Sequence, residues 1–306
     1  MIALVTGGAG FIGSHLVDRL LADGHEVRVL DDFSTGHEEN LADHPGLTVT
    51  RGTIADYGTV ASLMTNVNWV FHEAAVASVQ KTVEDPLGTQ KVNYQGTLNI
   101  LEAARENRVK RVVFAASAAA YGDDPQLPKR EELLPTPLSP YAVDKLASEH
   151  ACQVYAKLYG VETVCLRYFN VYGPRQDPSS PYSGVISIFV DRVSQGIEPV
   201  IFGDGGQTRD FVYVADVVEA NLKAATTPQP PPHSINIATE NPTDLKTLLK
   251  TICRIKGVEF KPAYQPERPG DIRHSYAMIT AARKYLGWAP EVELEDGLRR
   301  LIASLA

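Results

Sequence analysis

The first half of the chain alternates short β-branched apolar runs with segments of helical periodicity, and this rhythm restricts the fold more than any other feature. Residues 2–5, 26–30, 47–50, 69–72, 111–115 and 163–167 read as buried strands, because they are moderately apolar and bounded by turn residues. Between them, residues 11–22, 57–65, 89–107 and 141–159 carry helical patterns. A helix between successive strands calls for right-handed parallel crossovers, so an α/β fold with a doubly wound parallel sheet is expected.

After about residue 170 the rhythm breaks. Residues 173–206 are rich in Pro, Gly and Ser, and helical patterns follow at 214–225, 243–256, 280–286 and 294–305, with one strand at 234–237. A second, smaller α/β lobe that takes the substrate is expected. The boundaries place residues 1–170 plus about 209–240 in the first lobe and about 171–208 plus 241–306 in the second. The 306 residues suffice for either one large domain or two. The net charge of −8 makes duplex nucleic acid or an anionic membrane a poor partner, since phosphates repel an acidic chain. An anionic ligand must then be held by a few local arginines or by helix N-termini. Cys152, Cys165 and Cys253 are widely spaced and form no CxxC pair, so neither a disulfide framework nor a metal site is expected. No apolar run approaches the ~20 residues of a membrane span, and the first residues lack a basic leader, so a cytoplasmic protein is expected.

Thr6-Gly7-Gly8-Ala9-Gly10-Phe11-Ile12-Gly13 lies directly between the first strand and the first helix. Glycines there allow a tight turn and let the backbone approach a pyrophosphate, which the helix N-terminus stabilises. Glycines also make ordinary turns, but the strand–turn–helix setting is the one a dinucleotide site of the Rossmann type requires. Asp31 follows the second strand about 20 residues on, where a carboxylate accepts both ribose hydroxyls. It is otherwise a turn aspartate beside Asp32 and Ser34. A carboxylate repels a 2′-phosphate, and no Arg or Lys stands in the next several residues, so NAD is expected over NADP.

Ser139-Pro140 precedes Tyr141-Ala142-Val143-Asp144-Lys145 as a plausible N-cap and first helical position. Spacing of four puts Tyr141 and Lys145 on one helix face. A free tyrosine, with a pKa of about 10, is a poor base at neutral pH. A nearby ammonium and a cationic nicotinamide would both favour its phenolate. Taken alone the pair equally describes a surface tyrosine beside a lysine. Ser117, just past the fifth strand at the carboxyl edge of the sheet, can converge with it on a cofactor.

These segments together resemble the extended short-chain dehydrogenase/reductases of the NAD-dependent nucleotide-sugar epimerase/dehydratase family, with most similarity to UDP-glucose and UDP-N-acetylglucosamine 4-epimerases. The similarity also takes in Val70-Phe71-His72-Glu73-Ala74-Ala75, Val92-Asn93-Tyr94-Gln95-Gly96-Thr97, Leu166-Arg167-Tyr168-Phe169-Asn170-Val171-Tyr172-Gly173-Pro174-Arg175, Thr208-Arg209-Asp210-Phe211 and Arg268-Pro269-Gly270-Asp271-Ile272-Arg273. The resemblance implies Tyr141 as the base at the sugar 4-hydroxyl, Lys145 as the residue that holds the nicotinamide ribose and tunes Tyr141, and Ser117 as the bridge to the 4-oxygen. It implies NAD contacts from Gly7, Gly10, Phe11, Ile12, Gly13, Asp31, Asp32, Ser34, Thr53, Ile54, Ala74, Ala75, Asn93, Tyr141, Lys145 and Tyr168. Substrate contacts would come from Ser117, Tyr141, Asn170, Arg209, Arg268, Asp271 and Ser275, with Arg209 and Arg268 on the UDP diphosphate. It further implies a homodimer through a four-helix bundle of the 89–107 and 141–159 helices.

Related 4,6-dehydratases carry an Asp-Glu pair after the position of Ser117 for proton transfer at C5 and C6. Here Ala118, Ala119 and Ala120 follow, which points to epimerisation at C4 alone. Thr53 stands where the family usually has an aspartate, and Ala119 where many epimerases have a hydroxyl. Ser275 occupies a position where a bulky residue excludes a 2-acetamido group, so N-acetylated UDP-hexoses are expected as substrates too. A UDP-glucuronate 4-epimerase or decarboxylase is the nearer alternative. A non-catalytic NAD sensor is the distant one, since such proteins usually lose the Tyr or the Lys.

Overall fold

The computed structural model describes residues 1–177, 184–267 and 272–305. In chain order the elements are β1 (Ile2–Thr6), α1 (Phe11–Ala22), β2 (Glu26–Asp31), β3 (Leu47–Arg51), α2 (Tyr57–Leu63), β4 (Trp69–His72), α3 (Val79–Glu84), α4 (Pro86–Gln90), a π-helical turn (Lys91–Gln95), α5 (Gly96–Glu106) and β5 (Arg111–Ser117). A 3-10 turn (Ala118–Tyr121), α6 (Pro140–Tyr159), β6 (Glu162–Tyr168), β7 (Asn170–Tyr172), α7 (Val185–Ser194), β8 (Val200–Phe202), β9 (Thr208–Tyr213), α8 (Val214–Thr226) and β10 (Ile235–Ile237) follow. The chain ends with β11 (Pro242–Asp244), α9 (Leu245–Lys256), β12 (Ala263–Gln265), β13 (His274–Ser275) and α10 (Leu294–Ala303). No helix among the described residues is long and apolar enough to cross a membrane.

Seven strands form one sheet in the order β3-β2-β1-β4-β5-β6-β10, and every neighbouring pair is parallel. This is the expected doubly wound Rossmann sheet. Chain order reverses between β1 and β4, which opens a crevice at their carboxyl ends. Successive strand residues face opposite layers, so Val5, Phe71, Val113 and Leu166 pack with Leu16 and Leu20 of α1, while Leu4, Val70, Val112 and Phe114 pack with Ile100 and Leu101 of α5.

The second lobe has its own core, in which Ile186, Phe189, Ile201, Leu248, Leu249, Ile252 and Leu298 meet. β9 lies at the seam between the lobes. It bonds to β7, β11 and β13, yet runs straight into α8, which packs on α1 and β5. Helix α7 arises inside the segment read as Pro-, Gly- and Ser-rich, because its run Val185-Ile186-Ser187-Ile188-Phe189-Val190 is nearly all apolar and hides its periodicity.

Helix α6 is inverted relative to an ordinary surface helix. Asp144, Lys145, Ser148 and Glu149 point inward and are buried, while Val143, Val154 and Leu158 are exposed. Ser139 caps it by accepting from the Ala142 N–H at 3.2 Å, and Gly160 closes it in the left-handed region. Glu149 fastens it to the sheet. Its carboxylate takes the Arg167 guanidinium at 2.7 to 3.2 Å and the Ser234 hydroxyl at 2.8 Å, all out of solvent. Removing one partner of such a buried pair strands the other. Glu149→Ala is therefore expected to lower unfolding free energy by about 3–5 kcal/mol in urea denaturation. The exposed pair Arg19–Asp23 should matter little when broken.

Candidate active site

The crevice at the strand-order reversal holds a cavity of about 270 Å³. Gly7, Gly10, Phe11, Ile12, Gly13, Asp31, Asp32, Ser34, Thr53, Ile54, Ala74 and Ala75 line it, as the sequence led us to expect of a cofactor site. The glycine turn is tied to the sheet by Gly7 N–H to Leu30 O at 2.8 Å and closes on itself by Gly10 N–H to Gly7 O at 3.1 Å. Gly7 is at φ +68°, a conformation that favours glycine. A Cβ on Gly13 would lie 2.1 Å from Gly7 O, so only glycine lets the helix pack this close to the turn. Gly10 gives the first turn of α1 no side-chain acceptor, which leaves the helix N-terminus to an anion.

Asp31 ends β2 and is buried. One carboxylate oxygen accepts from Ala9 N–H at 2.9 Å and the other from Phe33 N–H at 2.8 Å. Each keeps accepting capacity for a ribose hydroxyl. Asp31 thus also makes an Asx turn, and Asp32 makes the next one, accepting from Ser34 N–H at 2.9 Å. Arg51 is the in-register partner of Asp31 on β3, a proximity invisible in the sequence. Its guanidinium is taken by Glu38 at 2.7 Å and lies over the Phe33 ring at 4.1 Å. Thr53 turns its hydroxyl to its own loop and accepts from Ala55 N–H at 3.2 Å. Asn93 stands one step back from the cavity wall, bonding both Val76 N–H at 2.8 Å and Val76 O at 3.2 Å.

Ser117, Tyr141 and Lys145 converge where β5 meets α6. Ser117 is the last residue of β5, two residues beyond the expected strand end, and its hydroxyl accepts from Ala119 N–H at 3.1 Å. The Tyr141 phenol is shifted upward chiefly by burial. The Ser117 hydroxyl draws it down and the Glu73 carboxylate pushes it up. Lys145 is buried. Its ammonium donates to Ala115 O at 2.6 Å and stands 6.0 Å from the Tyr141 ring centre. Burial lowers its pKa, and the charge of Glu73 opposes that most. His72, though close, is a satisfied core residue. It is locked between the Thr6 and Thr97 hydroxyls at 2.8 and 3.0 Å, and burial drops its pKa to about 3.

Of the anticipated substrate residues, Asn170, Arg209 and Ser275 gather around β9. Arg209 and Ser275 are register partners on β9 and β13. Asn170 starts β7 opposite Phe211, and its amide donates to Asp210 O at 3.2 Å. Arg268 and Asp271 lie outside the described residues. Arg175 and Arg273 are occupied by Asp18 at 2.8 Å and Asp204 at 2.7 Å. Sequence reasoning passed over Glu73, which also lines the cavity. The available signal was an acid placed at the carboxyl end of a central strand.

The cradle fits a dinucleotide. A Cβ on Gly10 would meet only Gly7 O, at 3.2 Å, and so would occupy the approach to the helix N-terminus that a pyrophosphate needs.

Residues 3–238 match the model of the NAD dependent epimerase/dehydratase family. A putative UDP-glucose 4-epimerase of Methanocaldococcus jannaschii is 40% identical over 301 residues, covering 98% of this chain and 96% of its own. The crystal structure of UDP-glucose 4-epimerase from Thermotoga maritima with UDP-glucose superposes with a TM-score of 0.94 at 40% identity, covering 100% of this chain and 98% of that one. A UDP-N-acetylglucosamine 4-epimerase from Methanobrevibacter ruminantium, in complex with UDP-N-acetylmuramic acid, gives 0.95 at 37% identity, covering 99% and 97%. The cofactor is NAD, as the family's description states. Gly13→Ala pushes a methyl group into the Gly7 carbonyl. It should weaken NAD retention by about tenfold or more, read as cofactor released on desalting, with the far-ultraviolet circular dichroism preserved.

Proposed function

Because the chain belongs to the NAD dependent epimerase/dehydratase family, we propose that it is a UDP-hexose 4-epimerase acting on UDP-glucose and UDP-galactose, and on their N-acetylated counterparts. The observation that carries this reading is the convergence of Ser117, Tyr141 and Lys145 beside the dinucleotide cavity, followed by a wall of Ala118, Ala119 and Ala120. Alanine transfers no proton, so C5 and C6 are left alone and only C4 is worked.

In this reading the Tyr141 phenolate takes the proton of the sugar 4-hydroxyl while Ser117 holds the 4-oxygen. Bound NAD would supply a reversible acceptor for the C4 hydride, and its cationic nicotinamide ring would favour the phenolate that burial alone disfavours. Lys145, fixed by Ala115 O, holds the nicotinamide ribose and keeps a positive charge in the pocket. The transient 4-keto sugar turns over, the hydride returns to the opposite face of C4, and Tyr141 gives the proton back to the 4-oxygen. Nothing leaves, and the cofactor stays bound between turnovers.

Residues 1–170 with about 209–240 serve NAD, and about 171–208 with 241–306 serve the nucleotide sugar. Arg209 and Arg268 grip the diphosphate, Asn170 reaches its near end and Asp271 the uridine ribose. Charge-assisted forked contacts suit that ligand in a chain of net charge −8. Ser275, beside Arg209, leaves room for a 2-acetamido group. The exposed apolar face of α6, with Val83 of α3 and Leu87 of α4 also exposed, supports a homodimer through a four-helix bundle. Three buried free cysteines suit the reducing cytoplasm.

The test is kcat/KM for UDP-galactose and UDP-N-acetylgalactosamine in the wild type and in Tyr141→Phe. We expect both sugars to be turned over by the wild type, and a loss of about 10²–10⁴ for both in the variant. Undiminished epimerisation by Tyr141→Phe contradicts the assignment of the base. Near-total rejection of the acetylated sugar contradicts the assignment of Ser275.

A further inference from the structure

Glu73 is a carboxyl at the site that the reaction above does not use. It follows His72 at the end of β4, its backbone N–H donates to Thr6 O at 3.2 Å, and its half-buried side chain lines the cavity. One carboxyl oxygen accepts from the Tyr168 hydroxyl at 2.8 Å. That hydroxyl in turn accepts from the Asn221 amide at 2.7 Å, and the same amide donates to Val217 O at 2.9 Å. With Asn221 supplying a donor to the Tyr168 oxygen, the Tyr168 proton is directed at Glu73. Three elements, the end of β4, β6 and α8, thus fix one carboxyl through a relay of two hydrogen bonds.

The groups facing Glu73 are Tyr141 and Lys145 from α6 and Tyr168 from β6, with His72 neutral on its own strand. Lys145 also feels Glu149 and Asp144 on its own helix, but Glu73 opposes its loss of charge more than either. We propose that Glu73 is a positioning residue of this site: held by Tyr168, it is the counter-charge to Lys145 and sets the pH window in which Tyr141 and Lys145 work. The proposal rests on the reading of Tyr141 and Lys145 as the working pair.

The signs follow from the charges. Burial raises the Glu73 pKa to about 7, with the Tyr168 hydroxyl and the Lys145 ammonium limiting the rise, so the anion prevails above neutral pH. The anion makes the Tyr141 phenol harder to ionise and the Lys145 ammonium harder to deprotonate. Removing it should let both groups lose their protons at lower pH. The acid limb, where Tyr141 ionises, and the alkaline limb, where Lys145 discharges, should then move together toward acid.

Glu73→Gln keeps an oxygen for the Tyr168 hydroxyl and deletes the charge. The readout is a tyrosinate difference-absorbance titration of the holoenzyme, assigned to Tyr141 by its absence in Tyr141→Phe, alongside the pH profile of kcat/KM. We expect the titration and both limbs of the profile to move to lower pH by about 0.5 or more. Tyr168→Phe, which takes away the hydroxyl favouring the Glu73 anion, should move the titration the same way by less, and it decides the matter if Glu73→Gln does not fold. A tyrosinate titration that stays put or moves toward alkali overturns the proposal, whatever happens to the rate. If Tyr141→Phe keeps full activity, the assignment of the base fails instead, and the titration still reports on Glu73.

Discussion

The ammonium of Lys145 is the charge around which the site is built. A lone buried cation is costly, so it must be met by acceptors and opposite charge. Here the Ala115 carbonyl meets it at the end of β5, the Phe114 ring lies 4.8 Å away, and Glu73 and Glu149 bear on it from two sides. Satisfying it fixes the register of α6 against β5, and that register brings Tyr141 alongside Ser117. The polar inner face of α6 follows from the same demand. The helix spends its inward side on charge and hydrogen bonding, which leaves its apolar residues on the outside.

An acidic protein that binds an anionic dinucleotide must do so with local positive potential. The turn after β1 supplies it through the uncapped start of α1, and β2 ends in the buried Asp31 carboxylate, a charge that favours a hydroxyl over a phosphate beside it. Arg51 does not upset that preference, because Glu38 and the Phe33 ring already occupy its guanidinium. The same economy governs the reacting end. Ala118, Ala119 and Ala120 follow Ser117 and offer no side chain that transfers a proton.

Much of this was legible in the sequence because it rests on local pattern. The strand–glycine–helix run, the Ser139-Pro140 cap and the four-residue spacing of Tyr141 and Lys145 depend on neighbours in the chain, whereas Thr53, Ile54, Ala74 and Ala75 of the cavity wall entered only through the resemblance. Features set by distant contacts were not legible. The helix expected over 89–107 is interrupted by a π-helical turn at Lys91–Gln95, and the short strands around β9 hold only two to six residues each, too few for a period to show. Tyr168 entered through the resemblance as an NAD contact, and the bonds of its hydroxyl to Asn221 and Glu73, 53 and 95 positions away, show only in the fold. One proton of the Lys145 ammonium goes to the Ala115 carbonyl, a partner 30 positions away that the spacing of four does not show.

The central claim is that one hydride leaves C4 and returns to C4 without meeting solvent. UDP-glucose deuterated at C4, turned over in ordinary water, tests it by mass spectrometry and proton resonance of the UDP-galactose formed. Full retention of deuterium at C4 of the product is the expected result. Replacement of the label by solvent hydrogen would contradict the account.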